Sequence, residues 1–332
     1  MLLVFPGQGS QEVGMGKGLY DAFSTARNVF HEVDDAISFF LSRVIFDGPE
    51  DTLRATENAQ PALMAISMAF TRVLEKEYGI NIASKAKFLA GHSLGEYTAL
   101  CVGGVLTLPD TAKILRIRGA AMSSACPTGR GAMAAILGLS LANIERIIAE
   151  YDAEKKGKAT AEANITVKTM PVVPIESVLQ IANDNCDGQV VISGNSEAVT
   201  WAIRKAIEAK ARRAVLLDVS GPFHCQLMNR AVSDVAAALE QANFSPPVCP
   251  IISNVTARAE IDGFRQFLLK QIVQRVRWRE SILFAEANSI THCVEIGAGR
   301  VLTGLVRRIC PQMELTNVCD VNALDEFAKK IT

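Results

Sequence analysis

Apolar residues follow two patterns along the chain, short continuous runs and longer segments in which they recur every three or four positions. The runs predict buried strands, and the recurring spacing predicts helices. Strands are expected at 2–5, 87–90, 250–254, 293–296 and 315–318. Helices are expected at 14–32 and 109–125, and the pattern over 34–80 is helical with a polar break at Asp47-Gly48-Pro49. Together these elements predict an α/β fold.

The segment from 131 to 219 has a different order of elements. In sequence they are a strand at 131–138, a helix at 141–151, strands at 176–183 and 189–194, a helix at 197–210 and a strand at 214–219. This β-α-β-β-α-β order is the ferredoxin-like pattern. We therefore predict a large domain at 1–128 and 215–332, with a ferredoxin-like subdomain inserted at 129–214. The segment from Asp152 to Pro174, rich in Ala, Lys and Glu, is predicted to be an exposed, mobile excursion.

Composition and charge are those of a globular protein with a large core. Of the 332 residues, 49% are apolar and 21% are charged. The net charge of -1, from 34 basic and 35 acidic residues, gives no electrostatic reason to bind nucleic acid. No uninterrupted apolar stretch has the length of a membrane span, so no membrane association is expected.

The eight cysteines are scattered singly, without a C-x-x-C pair or a Cys/His cluster at zinc spacing. This distribution predicts reduced, mostly buried thiols and no metal site. The apolar run Leu2 to Phe5 is too short for the core of a secretory signal. We therefore expect a cytoplasmic protein.

The segment Gly91-His92-Ser93-Leu94-Gly95 lies between the strand at 87–90 and a helix, as in a nucleophile elbow. At such a turn, the Ser93 hydroxyl is presented to substrate and the Leu94 N–H can stabilise the negative charge of an attacked carbonyl. The alternative is that Ser93 only caps the following helix. His92 is expected to line the pocket at most, because adjacent side chains rarely point to one place.

Three further residues are candidates from their positions. Gln11 lies in the glycine-rich loop after the first strand, and it stands where a phosphate-binding loop would require glycine. Arg118 lies on the helix at 109–125, where a solvated face is the alternative. His224 follows a Gly-Pro turn at the start of a helix, and simple exposure is the alternative there.

Six separated segments resemble the malonyl-CoA:acyl carrier protein transacylase family, in that family's order and over nearly the whole chain. They are FPGQGSQ at 5–11, GHSLGEYTAL at 91–100, RIRGAAM at 116–122, GQVVISGN at 188–195, SGPFH at 220–224 and VEIGAGRVLTGL at 294–305. The resemblance implies an α/β-hydrolase-like large domain with a parallel sheet and a ferredoxin-like subdomain. It also implies ping-pong transfer of malonyl from malonyl-CoA to the phosphopantetheine thiol of acyl carrier protein, for fatty acid biosynthesis and without a cofactor.

The same resemblance assigns roles to the candidates. Ser93 is the expected nucleophile and His224 its base, oriented by a backbone carbonyl from near 253–254. The expected oxyanion donors are the amides of Leu94 and Gln11.

The resemblance also predicts the residues that bind the malonyl group. Arg118 is expected to pair with the malonyl carboxylate, because a buried carboxylate needs a cationic partner. Phe223 is expected to narrow the pocket against an α-methyl branch, and His92 and Met122 to line it. Basic residues that could meet the acidic carrier protein, unless they are merely solvated, are Lys205, Arg212, Arg213, Arg275, Arg277 and Arg279.

Two other functions remain open from the sequence. A serine esterase or thioesterase could use the same elbow, with His292 as the late histidine. A non-catalytic, acyl-carrier-binding scaffold is the second alternative.

Overall fold

The fold is taken from a computed structural model that describes residues 1–163 and 177–331, with the backbone alone at 156–163. Its strands, in chain order, are β1 (Leu2–Phe5), β2 (Phe88–Gly91), β3 (Gly131–Leu137), β4 (Leu179–Cys186), β5 (Gln189–Asn195), β6 (Arg213–Leu216), β7 (Ile251–Ile252), β8 (Ala259–Glu260), β9 (His292–Ile296) and β10 (Glu314–Val318). The strands form two sheets.

Helices account for most of the remaining described residues. They are α1 (Lys17–Ala22), α2 (Ser24–Ile37), α3 (Leu41–Asp47), α4 (Glu50–Arg54), α5 (Thr56–Glu77), α6 (Ile82–Lys85), α7 (Leu94–Val102), α8 (Leu108–Ser124), α9 (Leu141–Ala163), α10 (Ser196–Glu208), α11 (Asn229–Gln241), α12 (Phe264–Val273), α13 (Trp278–Ala287), α14 (Val301–Ile309) and α15 (Val321–Ile331). A short 3-10 helix spans Gln226–Met228. None of the described helices is long and apolar enough to cross a membrane.

The first sheet has the strand order β10-β9-β1-β2-β7-β8, and only β8 runs antiparallel to its neighbour. The side chains of β1 are divided between two cores. Leu3 and Phe5 pack with α5 and α8 on one face, and Leu2 and Val4 pack with α13 and α14 on the other. A parallel sheet is buried on both faces, which explains why its strands are continuous apolar runs in the sequence.

The second sheet has the order β4-β5-β3-β6, and all its described pairs are antiparallel. Helices α9 and α10 lie between its strands in sequence, and their apolar side chains share a core with β3 and β5. The β-α-β-β-α-β order of elements predicted for this segment is therefore confirmed. The central sheet and this four-stranded unit together give a mixed α/β fold.

Several predicted helix boundaries were wrong. The helix predicted at 14–32 is two helices, because the chain is extended at Phe23 between α1 and α2. The helix predicted at 141–151 continues to Ala163, so the first part of the predicted excursion at 152–174 is helical. Ala, Lys and Glu are strong helix formers, which explains the extension. The remainder of that excursion lies outside the described residues.

The two sheets meet close to the elbow segment. The backbone of β4 is bonded to that of Val276, from Asp184 N to Val276 O at 3.0 Å and from Val276 N to Ala182 O at 2.8 Å. Arg279 binds both carboxylate oxygens of the fully buried Asp184. A cavity of about 610 Å³ lies between the two units, and its lining includes His224.

Candidate active site

Ser93 stands at a sharp turn between β2 and α7, with a left-handed backbone (φ 54°, ψ -110°). The flanking glycines make this turn possible. A Cβ on Gly91 would lie 1.9 Å from the carbonyl of Gly95, and a Cβ on Gly95 would lie 2.2 Å from the Phe5 carbonyl oxygen. The predicted strand-turn-helix is confirmed. The Ser93 side chain makes no capping hydrogen bond to the helix, so the capping alternative is not supported.

The hydroxyl of Ser93 is bonded to His224, with 2.8 Å between Oγ and Nε2. The other ring nitrogen, Nδ1, lies 2.7 Å from the carbonyl oxygen of Gln271. Because a carbonyl only accepts, Nδ1 carries the proton and Nε2 is free to accept from the serine. The two residues, 131 positions apart in sequence, therefore form a nucleophile and base pair.

We expected the carbonyl that orients His224 to come from near 253–254, and this prediction was wrong. The carbonyl belongs to Gln271, which lies in the last turn of α12, where carbonyl groups have no partner within the helix. Asn254 binds the elbow instead. Its Oδ1 accepts from Ser93 N at 2.8 Å, and its Nδ2 donates to the Gly91 carbonyl at 2.7 Å.

Burial governs the protonation of His224, which is 4% exposed. Loss of solvation, reinforced by the nearby charge of Arg118, lowers its pKa to about 3. The imidazole is therefore neutral at pH 7, as a general base requires.

The two amides predicted as oxyanion donors lie in neighbouring loops. The Leu94 N–H is in the first turn of α7, and no acceptor for it is found in the described parts of the chain. Gln11 lies in the loop after β1, where its Oε1 accepts from Gly9 N at 2.7 Å. This loop packs against the elbow, since a Cβ on Gly7 would lie 2.7 Å from the His92 carbonyl oxygen.

Arg118 on α8 is buried, only 1% exposed, so the solvated-face alternative is wrong. Its Nη2 donates to Ser93 Oγ at 3.1 Å and to Gln271 Oε1 at 2.9 Å, and its Nη1 donates to Gln60 Oε1 at 2.7 Å. All three acceptors are neutral. A buried guanidinium with neutral acceptors, beside a nucleophile, is suited to bind the carboxylate of a substrate.

The other three residues predicted to line the pocket lie on different parts of the structure. Met122 is buried on α8, four residues after Arg118 and therefore on the same helical face. Phe223 is buried directly before His224. His92 contacts the second sheet, with Nε2 2.8 Å from Asn185 Oδ1, and its ring meets Trp278 edge to face.

His292 cannot serve the elbow. It begins β9, whereas Ser93 follows the end of β2, and both strands are parallel to β1. His292 therefore lies at the amino ends of the parallel strands, and Ser93 lies at their carboxyl ends. The Nε2 of His292 is 2.9 Å from Thr316 Oγ1. This placement removes the late histidine on which the hydrolase alternative depended.

Four of the six basic residues predicted to meet the carrier protein form ion pairs. Lys205 pairs with Glu150 and Glu208, and Arg275 pairs with Glu145 and Glu280. Arg277 and Arg279 pair with Glu280 and Asp184 respectively. These contacts reduce the net positive charge that the surface presents.

Sequence analysis missed three polar residues of the site, Gln60, Glu96 and Gln271, and the role of the Asn254 side chain. Glu96 carried a signal, because a carboxylate three residues after Ser93 interrupts an apolar helix that is buried throughout its first two turns. The two glutamines and Asn254 stand in segments without a functional pattern. The described residues include no cluster of three or more His, Cys, Asp or Glu able to hold a metal ion.

Comparison with known proteins places this geometry in a family. The family model described as acyl transferase domain matches residues 2–319. The malonyl CoA-acyl carrier protein transacylase of Bacillus subtilis strain 168 is 39% identical, over 97% of this chain and 94% of the relative. The enzyme of the same name from Escherichia coli K12 is 36% identical, over 97% and 96%.

Solved structures agree over the full length. An acyl-carrier-protein-S-malonyltransferase from Bartonella henselae superposes with a TM-score of 0.89 at 45% identity, covering 99% of this chain and 98% of that one. A malonyl-transacylase in complex with a type II PKS acyl carrier protein gives 0.88 at 35% identity, with 99% of each chain covered. Because the matches run from end to end and include the elbow, the chain belongs to the malonyl-CoA:acyl carrier protein transacylase family of acyl transferases.

Proposed function

We propose that this protein transfers the malonyl group of malonyl-CoA to the phosphopantetheine thiol of acyl carrier protein, through a malonyl ester on Ser93, and so supplies fatty acid biosynthesis. One observation carries the proposal. The Ser93 Oγ lies 2.8 Å from a neutral imidazole and 3.1 Å from a buried guanidinium. A nucleophile, its base and a partner for a carboxylate thus meet at one oxygen atom.

The first half-reaction forms the ester. His224 Nε2 accepts the hydroxyl proton as Ser93 Oγ attacks the thioester carbonyl. The carbon–sulfur bond breaks, and the imidazolium returns the proton to the departing CoA thiolate. In the second half-reaction, His224 accepts the proton of the carrier thiol, whose sulfur attacks the ester. The carbon–oxygen bond breaks and Ser93 regains its proton.

We propose Leu94 N–H and Gln11 N–H as the donors to the oxyanion of each tetrahedral intermediate. The Leu94 amide without an acceptor and the packing of the Gln11 loop on the elbow support this assignment. Each such donor contributes about a hundredfold to a thousandfold in turnover.

Arg118 is the proposed partner of the malonyl carboxylate, with Met122, Phe223 and His92 around the acyl group. The carboxylate would replace neutral acceptors of the guanidinium, which it can bind through both oxygens. Phe223 is the proposed barrier to an α-methyl branch. A hydrophobic wall rejects one methyl group by about 1–3 kcal/mol.

Three broader assignments complete the proposal. The strand order β4-β5-β3-β6 supports a ferredoxin-like subdomain, predicted at 129–214, inserted into an α/β-hydrolase-like domain at 1–128 and 215–332. The free cysteines support a cytoplasmic location. The transfer is proposed to need no cofactor or metal and to involve neither nucleic acid nor a membrane, because Ser93, His224 and the backbone amides supply each chemical step.

Mass spectrometry after brief exposure to malonyl-CoA tests this function. We expect one malonyl adduct on Ser93, which disappears when holo acyl carrier protein is added and reappears on the carrier thiol. The Ser93→Ala variant should show no adduct. Rapid release of free malonate, without transfer to the carrier, would instead indicate a hydrolase. Undiminished transfer by Ser93→Ala would contradict the ester mechanism.

A further inference from the structure

Glu96 is a buried carboxylate of the site to which the transfer chemistry gives no role. It lies in the first turn of α7, three residues after Ser93, and is 1% exposed. Its Oε2 accepts from Gln271 Nε2 at 2.6 Å and from Asn254 N at 3.3 Å. Its Oε1 accepts no hydrogen bond in the described parts of the chain, although the nearby Ser253 hydroxyl also lowers the pKa of the carboxyl group. A buried anion with one oxygen unsatisfied is costly unless a cation lies nearby.

The side chain of Gln271 connects Glu96 to Arg118. Its Oε1 accepts from Arg118 Nη2 at 2.9 Å, while its Nε2 donates to Glu96 Oε2 at 2.6 Å. The amide orientation follows from these partners, because a guanidinium only donates and an ionised carboxylate only accepts. One amide therefore joins the buried cation to the buried anion.

Arg118 is the charged partner available to Glu96. The titratable groups that act on the carboxylate are Arg118 on α8 and the adjacent Tyr97 on α7. The imidazoles of His92 and His224 lie beside Ser93. Burial raises the pKa of Tyr97 to about 12 and lowers the pKa of both histidines, so all three are neutral at pH 7. In the empty site, Arg118 therefore carries the positive charge, and Glu96 balances it to the extent that its carboxyl group is ionised.

A substrate carboxylate on Arg118 would break this balance. Two buried carboxylates would then share one guanidinium, and like charges raise the pKa of the carboxyl group that is easier to protonate. Glu96 is that group, since burial already raises its pKa to about 7. The substrate carboxylate, in direct contact with the guanidinium, would stay ionised.

We propose that Glu96 is a positioning residue that exchanges a proton with solvent during each cycle. It is the counter-charge of Arg118 in the empty enzyme, takes up a proton when the malonyl carboxylate binds, and releases it after transfer to the carrier. The proposal rests on the function proposed above. Ester formation itself conserves protons, because the serine proton leaves on the CoA thiol. Any net uptake therefore reports a group of the protein.

Proton uptake during formation of the malonyl enzyme tests the proposal. Wild-type protein is mixed with malonyl-CoA in weak buffer with a pH indicator, without carrier protein, and the adduct is quantified by mass in the same sample. The pKa of Glu96 is near 7 in the empty enzyme and is expected to rise when the malonyl group is bound. The number of protons taken up per adduct should then be about 0.1 at pH 6, about 0.5 at pH 7 and about 0.75 at pH 7.5. The Glu96→Gln variant should form the adduct with no uptake.

A matched control separates Glu96 from buried carboxylates in general. Glu295 on β9 is also fully buried, with its pKa raised by burial, and it caps α14 through Leu302 N and Thr303 N. The Glu295→Gln variant should retain the wild-type uptake. Kinetics provide a second readout. The kcat/KM for malonyl-CoA should fall about fivefold from pH 7 to pH 8 in wild type, through KM, and stay flat in Glu96→Gln.

The outcomes distinguish this inference from the proposed function. Adduct formation without proton uptake, or uptake independent of pH, would overturn the role of Glu96 and leave the transfer function intact. Equal uptake in Glu96→Gln and wild type would assign the proton to another group. Absence of a wild-type adduct would overturn both. If Glu96→Gln does not fold, wild-type uptake that is absent, or that does not follow a group with a pKa near 7, still overturns the role of Glu96.

Discussion

The chemistry of His224 and Arg118 follows from burial of both side chains next to one hydroxyl. A histidine on an exposed loop would have a pKa near 6.5 and be partly charged at neutral pH. The buried ring of His224, beside the guanidinium of Arg118, has its pKa lowered to about 3. Burial is the main reason that the base is neutral, and the charge of Arg118 adds to it. The same cation offers a partner for an acyl carboxylate.

Replacing Arg118 by alanine should change acyl selectivity. Removing two charged hydrogen bonds to the malonyl carboxylate costs about 3 kcal/mol, or about a hundredfold in kcat/KM for malonyl-CoA. Acetyl-CoA, which has no carboxylate, should lose far less. Steady-state kinetics with both thioesters measure the ratio.

Arg116 is the matched control, two residues earlier on α8. Its guanidinium binds Asn58 and the Glu57 carbonyl, and among the described residues no hydrogen bond joins it to Ser93. The Arg116→Ala variant should keep the malonyl preference. An unchanged malonyl to acetyl ratio in Arg118→Ala would contradict the assignment.

The elbow between β2 and α7 depends on close backbone packing. The strand and the helix approach so closely that neither flanking glycine could carry a side chain. A Cβ on Gly91 would lie 1.9 Å from the Gly95 carbonyl, and a Cβ on Gly95 would lie 2.2 Å from the Phe5 carbonyl oxygen. Ser93 is therefore held in its left-handed conformation by the contact of β1, β2 and α7. Such strain persists only where surrounding structure enforces it.

Substituting alanine for Gly95 should destabilise the fold, since backbone atoms cannot move aside as a flexible side chain can. Overpacking of this kind costs about 1–3 kcal/mol in the free energy of unfolding. Gly304, exposed in the middle of α14, has no atom within 4 Å of an added Cβ. Gly304→Ala should instead stabilise by about 0.5–1 kcal/mol. Urea unfolding compares both variants, and equal effects would refute the packing argument.

Across the whole molecule, the active site depends on how the second sheet is held against the first. The backbone of β4 bonds to Val276, Arg279 binds the buried Asp184, and Asn185 reaches His92 of the elbow. The cavity that contains His224 lies between the two units. Loss of these contacts would open one wall of the site.

Truncation of Arg279 tests that attachment. Arg279→Ala leaves the carboxylate of Asp184 buried without its cation, which costs about 3 kcal/mol in the free energy of unfolding. A surface pair provides the control. Lys17 and Asp21 form an ion pair in which both side chains are about half exposed. Replacing Lys17 by alanine should therefore lower the free energy of unfolding by less than about 1 kcal/mol. If Asp184→Asn restores stability to Arg279→Ala, the cost lies in the unpaired charge. If Arg279→Ala costs less than about 1 kcal/mol, the backbone hydrogen bonds between β4 and Val276 are sufficient to hold the second sheet in place.

Local order in the sequence was enough to predict most elements and the nucleophile. The run Leu2–Phe5 is a strand to the residue, and β3, β5 and α10 lie within a few positions of their predictions. These features depend on hydrophobic periodicity and on glycine at a turn, which are properties of neighbouring residues. Helix ends were less accurate, as α9 illustrates, because helix formers continue a helix beyond its packed face.

Only the tertiary structure decided which distant groups meet at Ser93. In the structure, His224 is oriented by the carbonyl of Gln271 and not by one near 253–254, and Arg118 is buried among neutral acceptors. His292 lies at the opposite end of the parallel strands from Ser93. The tertiary structure also joined Glu96 to Arg118 through a single amide. The identity of each residue was visible in the sequence. Its distance from the others depends on strand order and on how helices pack on the sheet, which no local pattern encodes.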